Sequence, residues 1–458
     1  MWVTNYLNER LLLLTVACFL LAANVSGQGA TDRSQFVIID APIVALKGVR
    51  IIDGLGSPPR EGQTIIIASG KIKAIGASVD VPSGAKIIEL SGQTVTPGLV
   101  MLHEHLNYFS GRAIWHSHPV SYPKLYLAAS VTTIRTAGSE QPEVDLNLKR
   151  RIDDGKAAGP KIHLTGPYFN GLSGGFLGDV VIRNAEEGRT AAAFWASRGF
   201  TSFKLYNAID APAAKAIIEE AHRRKVKVTG HLDSLGCREA ADLGIDSIEH
   251  SFGSCSKDLG VNVSQPDFKA DLLAPKFQEL VGHLVKAGVV LVSTPAAFDP
   301  PLSDEELDML HPQERERYLR ATVAPPPWWP NFKSGTEIRK MERAFVTAGG
   351  RLGVGADAND FGNIAGYGNH RALALLVKGG WQPLEVIRLV TSNGAEILGV
   401  GNSVGRIAPG WAADLIVVDG NPAKDIKELS KAKIVFKDGV GYDPAKLRAA
   451  AKGLVGWH

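Results

Sequence analysis

Short bursts of alternating apolar and polar residues dominate the chain from Phe36 to Val95. Ile43–Leu46, Val49–Gly54, Thr64–Ile67, Lys71–Gly76 and Lys86–Leu90 each read as a strand, and Ser69-Gly70 and Pro82-Ser83-Gly84 read as the turns between them. The stretch predicts a small all-β module. From Thr94 the rhythm lengthens. Thr94–His105 is an apolar strand ending in two histidines one residue apart. Seven further β-branched runs follow: Val131–Arg135, Lys161–Thr165, Thr201–Tyr206, Val226–His231, Asp246–His250, Val289–Thr294 and Arg351–Asp357. Helical patterns such as Ala211–Lys225 and Arg238–Leu243 separate them. Eight strands alternating with helices predict an α/β fold, a (β/α)8 TIM-like barrel over 96–403.

Strand-and-turn character returns after Arg406, in Gly410–Gly420 and Ile434–Gly439. The expectation is a small β-sandwich domain built from both chain ends, residues 29–95 and 404–458. Two connections are longer than a barrel needs. Residues 252–287 include a helical pattern at Ala274–Lys286, and 296–345 contain Ala324-Pro325-Pro326-Pro327-Trp328-Trp329-Pro330. Long connections at the catalytic end of a barrel serve as lids or specificity loops, or pack on the surface.

Residues 1–28 stand apart. Leu11–Ala23 is almost wholly apolar, follows Arg10 and precedes the small residues around Ser26-Gly27. The run is too short to span a bilayer and suits the core of a secretory signal, so the expectation is export to a periplasmic or extracellular space, with no stable membrane insertion after signal removal. Cys18 follows Val16-Ala17 as in a lipoprotein site, but Phe19-Leu20-Leu21 continue the apolar run beyond it. The two cysteines left, Cys237 and Cys255, make no disulfide framework in so long a chain and read as small buried residues.

The chain has 458 residues, 45% of them hydrophobic and 21% charged, which is enough for a large core. A net charge of +3 without a dense Lys/Arg tract speaks against a nucleic-acid partner. The segment from Phe169 to Gly178 is glycine-rich but lacks the Lys-Ser/Thr ending of a phosphate loop. A homo-oligomer stays open.

Candidate chemistry collects at the carboxyl ends of the strands, where a barrel keeps its reactive groups. In order these ends carry His103 and His105, Arg135, Thr165, Lys204, His231, His250, Thr294 and Asp357. Residues two apart on a strand face the same way, so His103 and His105 aim into one space while Glu104 points away as a structural residue. Imidazoles and a carboxylate converging from several strands suit a first-row divalent metal.

These residues resemble the amidohydrolase superfamily. The match runs through Pro97-Gly98-Leu99 with His103-x-His105, Lys204, Gly230-His231, Glu249-His250 and Asp357, and through Thr391–Gly399, Gly405–Gly410 and Ala413-Asp414-Leu415. It is most similar to the imidazolonepropionase-related and Xaa-Pro dipeptidase (prolidase-like) branch, which includes ochratoxin-type amidases. It departs at Met101, where relatives often carry an acid, and at Thr136, where they often have Asp. The resemblance implies two divalent metal ions, zinc by expectation. His103, His105 and Asp357 would hold one and His231 and His250 the other, with a carboxylated Lys204 bridging them. A lysine buried beside cations loses its proton readily. The implied reaction is cleavage of an amide C–N bond in a small substrate, a dipeptide or N-acyl amino acid, by attack of a metal-bridging hydroxide. Asp357 would move the proton and His250 would assist the oxyanion. Tyr206, Arg135 and Tyr168 are candidate substrate contacts, and Arg135 could equally be a structural ion-pair partner; His116, His118 and Asn359 are weaker ones. A cyclic amidohydrolase with one metal, opening a lactam or imidazolone-type ring, is the alternative, and a non-catalytic secreted binding protein a further one. Deaminases of this superfamily have Glu where this chain has Ser234, which disfavours deamination.

Overall fold

The computed structural model describes residues 33–110, 114–173, 178–263, 265, 267–297, 302–324, 335–359 and 363–456. The predicted signal segment and residues 325–330 of the proline-tryptophan stretch lie outside them.

Nine strands form one sheet. Six come from the N-terminal side, between Val37–Ile39 and Thr94–Pro97, and three from the C-terminal side: Leu415–Val418, Ala432–Lys437 and Val440–Tyr442. The two ends meet in the middle, where Leu415–Val418 lies antiparallel to Thr94–Pro97 with Leu415 opposite Pro97. Alternation explains the core: Val44, Leu46, Ile65, Ile67, Val95, Leu415, Val417 and Phe436 share one apolar cluster.

Most of the other strands are parallel. Leu99–Glu104, Val131–Thr136 and Lys161–His163 form one ladder. Thr165–Asn170, Ser202–Leu205, Lys227–Gly230, Ser247–Glu249, Val290–Ser293 and Arg351–Val354 form the next. Buried on both faces, they read as continuous apolar runs, as parallel strands do. The two ladders join within the third run, predicted as one strand and broken at Leu164. Its first half pairs with the second strand and its second half with the fourth. At the break the Leu164 carbonyl accepts from the N–H groups of Thr201 and Ser202 at 2.9 and 3.3 Å, and Pro167 has no N–H to offer a ladder. At the opposite edge the Asp357 N–H donates to the His103 carbonyl at 3.0 Å, which brings the eighth strand end to the first.

Helices pack outside. Ala211–Arg223 starts where Asp210 accepts from the Ala213 N–H at 2.8 Å, with Pro212 in its first turn. It buries Ala214, Ile217, Ile218 and Ala221. The 252–287 connection holds the helix Pro275–Ala287, one residue off the predicted span. The 296–345 connection is largely helical, through Asp304–Leu307, Pro312–Val323 and Gly335–Thr347. An antiparallel pair, Asn107–Ser110 with Ile114–Ser117, follows the first parallel strand and was not expected from the sequence. The nine-stranded sheet is pinned to the parallel strands by Lys161, whose Nζ lies 2.5 Å from Asp414 and 2.7 Å from Asp438.

One sequence expectation is overturned. Cys237 and Cys255 are bonded to each other, with Cα atoms 5.3 Å apart. Cys237 begins the short helix Cys237–Asp242 and Cys255 ends the turn Ser251–Cys255. The bond therefore ties the segment after His231 to the segment after His250. The fifth and sixth parallel strands are neighbours, which brings the two segments together, and that pairing is not visible in the local sequence.

Candidate metal centre

Three donors converge at the carboxyl ends of the first and eighth strands. His103, His105 and Asp357 are buried and offer ligand atoms that lie within 4.8 Å of one another. Oδ1 of Asp357 is 2.9 Å from Nε2 of His105 and 3.3 Å from Nε2 of His103. Strand alternation aims the two rings together, and the left-handed conformation of Asp357 (φ 55°) turns its carboxylate to them. Such a conformation is costly for a residue with a Cβ and marks functional sites. Asn363 secures this turn by donating to the carbonyls of Ala356 and Asp357 at 2.6 and 2.9 Å, and Asn359 donates to Asp357 Oδ1 at 3.1 Å.

His250 lies beside this trio in the same unusual conformation, at φ 58°. Its Nδ1 is 2.9 Å from Thr294 Oγ1 and 3.7 Å from Asp357 Oδ2. His231 packs on it, ring centroids 4.5 Å apart, and His103 lies at 4.8 Å on the other side. Lys204 is buried in the same region. Its Nζ lies 6.0 Å from the centre of the Tyr206 ring, which also contacts His231 and Tyr168 at 5.2 and 5.0 Å. The Tyr168 hydroxyl is 3.4 Å from Nδ1 of His105. All the predicted ligands thus gather here, with Tyr206 and Tyr168 among them.

Arg135 takes the second of its two candidate roles. Its guanidinium donates to the Leu102 carbonyl at 2.8 Å, to Ser247 at 3.2 Å and to the Glu249 carboxylate. Held by three partners inside the strands, it is an ion-pair residue of the wall rather than a substrate contact. His118 accepts from the Gly456 N–H and His116 stands opposite Tyr108 in the antiparallel pair.

Sequence reasoning quoted Glu249 within the resemblance but gave it no role. Its side chain is fully buried and receives His103 Nδ1 at 2.6 Å, Arg135 and the Thr229 hydroxyl. A carboxylate on Nδ1 fixes the ring and leaves Nε2 for the site. Glu104 does point away, as expected. It accepts the Ala356 N–H at 2.9 Å and Asn369 at 2.7 Å, which steadies the backbone leading into Asp357.

Electrostatics favour neutral imidazoles at His105, His231 and His250, whereas at His103 burial is outweighed by Asp357 and Glu249, which raise it. Burial pushes His231 down to about 3, aided by the charge of Lys204. Burial also lowers His105 despite Asp357, and burial with His231 holds His250 well below the usual range. Burial opposes ionisation of Asp357, but His103 and the hydrogen bonds from both histidines outweigh it and hold its carboxyl low. Burial brings Lys204 down to about 8. Two imidazole nitrogens and a carboxylate oxygen, dry and held from behind, fit a divalent transition metal.

The sequence pattern of the amidohydrolase family matches residues 94–440. The chain belongs to the amidohydrolase family. It is 24% identical over 420 residues to an imidazolonepropionase of Chromobacterium violaceum, spanning 80% of this chain and 87% of that one. It is 22% identical over 468 residues to ochratoxinase of Aspergillus niger, spanning 89% and 86%. Among solved structures it is similar to a putative prolidase from Bifidobacterium longum, with TM-score 0.69, 24% identity and coverage of 90% and 98%. It is also similar to phenylurea hydrolase B, with TM-score 0.69, 21% identity and coverage of 91% and 100%. These structural likenesses speak for the fold, and they imply a TIM-like barrel with which the parallel strands of this amidohydrolase agree. The protein is a metal-dependent hydrolase acting on carbon–nitrogen bonds. Among the described residues no helix of this amidohydrolase is long and apolar enough to cross a membrane.

Proposed function

We propose that this amidohydrolase cleaves the amide bond of a dipeptide or N-acyl amino acid at a centre of two divalent metals, zinc by preference. The observation that carries the reading is the convergence of His103 and His105 on one oxygen of Asp357, with His231, His250 and Lys204 packed alongside. His103, His105 and Asp357 would hold one ion and His231 and His250 the other. Lys204, whose burial favours the neutral amine that reacts with carbon dioxide, would span them as a carbamate. Bound metal supplies Lewis-acid polarisation of the scissile carbonyl and acidifies the attacking water. Asp357, ionised and facing the site, accepts the water proton on a carboxylate oxygen and delivers it to the leaving amine. His250, braced by Thr294, stays neutral and borders the developing oxyanion. Tyr206 and Tyr168 wall the site and orient the substrate.

The same reading takes the eight parallel strands as a closed barrel and the nine-stranded sheet as a small β-sandwich domain. It also takes the protein as exported. The buried Cys237–Cys255 bond supports this, since disulfides persist in oxidising compartments.

The test is a hydrolysis screen of dipeptides, N-acyl amino acids, lactams and imidazolones with zinc and bicarbonate supplied. Turnover of linear amides by protein holding two ions is expected. Turnover confined to cyclic amides by protein holding one ion would replace this reading with the single-metal alternative, which the compact His103–His105–Asp357 trio favours.

A further inference from the structure

A cavity of about 550 Å³ lies between the segments that follow His231 and His250. Leu232, Asp233, Gly253, Ser254, Lys257 and Val261 line it. Leu232 and Asp233 follow His231 directly, and a Cβ added at Gly253 would stand 3.5 Å from the Cβ of His250. The cavity therefore opens beside the centre and has the size of a small-molecule subsite. Its two walls are tied by the Cys237–Cys255 bond and by Asp258, which accepts the N–H groups of Cys237 and Arg238 at 2.6 and 3.3 Å. A cavity framed this way is formed before substrate arrives.

The charges around it are unequally answered. Lys257 donates to the Ser234 carbonyl at 2.9 Å and lies 3.6 Å from Glu239. Asp258 is taken up by its two N–H donors. Asp233 makes no hydrogen bond or ion pair with any described residue. The carboxylate left without a hydrogen bond or ion pair is thus that of Asp233, in a space it shares with Leu232, Val261, Ser254 and Lys257. We propose that this cavity receives the substrate's free ammonium group on Asp233, so that aminoacyl amides are preferred over N-acylated ones. The proposal rests on the amide-hydrolase reading and chooses between its two substrate classes.

The test uses metal-loaded protein and two probes without a scissile bond. L-Leucinol carries the ammonium, and 4-methyl-1-pentanol is the same skeleton without it. Calorimetry should show leucinol binding about tenfold more tightly, as a charge-assisted contact gives, and Asp233→Asn should erase the difference. Equal affinities in the wild type, or a preference that survives in Asp233→Asn, would overturn the proposal. Asp233 makes no hydrogen bond or ion pair with any described residue, so the Asn variant keeps the structure. Leucinol preference without hydrolysis of any amide would sink the functional reading and leave the subsite standing.

Discussion

Removing the charge of Glu249 tests how much of the centre depends on the network behind it. Glu249→Gln keeps the shape and removes the counter-charge of Arg135, leaving a guanidinium whose side chain is 7% exposed opposite a neutral amide that is fully buried. Breaking a buried pair from one side costs about 3–5 kcal/mol, and this carboxylate also serves His103 and Thr229, so the upper part of that range is expected. The same change frees the His103 ring and should weaken metal binding by about 10–100-fold. Urea unfolding of metal-free protein reads the first effect and a competitive chelator titration the second. Burial alone would raise the Glu249 carboxyl, but Arg135 and His103 hold it well below the usual 4.5. Its contribution is therefore present above that value and is lost as pH falls through the lower folded value, so wild type and variant should converge on acidification. Replacing both partners by apolar residues, Arg135→Met with Glu249→Leu, should recover much of the loss. A Glu249→Gln protein within about 1 kcal/mol of wild type, with unchanged metal affinity, would refute the reasoning.

Lys204→Ala should lower metal content from two ions to one and cut turnover by about 100-fold, read by elemental analysis and steady-state rates; retention of two ions would count against the bridge. Replacing Cys237 and Cys255 together by Ala should cost about 3 kcal/mol in urea unfolding, since the bond closes a loop with a sequence separation of 18. Burial raises the Glu104 carboxyl to about 7, against the bonds from Ala356 and Asn369. Metal-free protein should then lose stability as pH rises from about 4.5 to 7, because the folded state holds a proton that the unfolded chain releases. Glu104→Gln, which keeps the acceptor, should remove that slope; parallel stability curves of the two proteins would contradict it.

The side chains that gather at the site were legible because strand alternation and strand ends are sequence properties. His103 and His105 share a face by spacing alone, and Lys204, His231, His250 and Asp357 each lie at the end of an apolar run. What stayed hidden depends on backbone conformation and on neighbours in space. Glu249 and His250 are consecutive, and alternation would send them to opposite faces. The left-handed turn at His250 lets both serve the site. The pairing of Arg135 with Glu249 and of Cys237 with Cys255 needs strand order, which no local window contains. The broken third strand has a cue in Pro167, but its switch of partner belongs to the register between ladders.

The sheet shared by both chain ends also sets a timetable. Val37–Ile39 finds its partner in Val440–Tyr442, and Thr94–Pro97 finds its own in Leu415–Val418. At ~5–20 residues per second of synthesis, the first of these strands waits roughly 20–80 s for its mate. Through that interval the early strands present open edges, the state most exposed to wrong pairing. The metal centre sits between these events in the chain, so its ligands can gather before the sheet that braces Lys161 is complete. Loss of the chain from Leu415 onward would leave the early strands permanently waiting, and the outcome to expect is aggregation of a newly made chain rather than a slower enzyme.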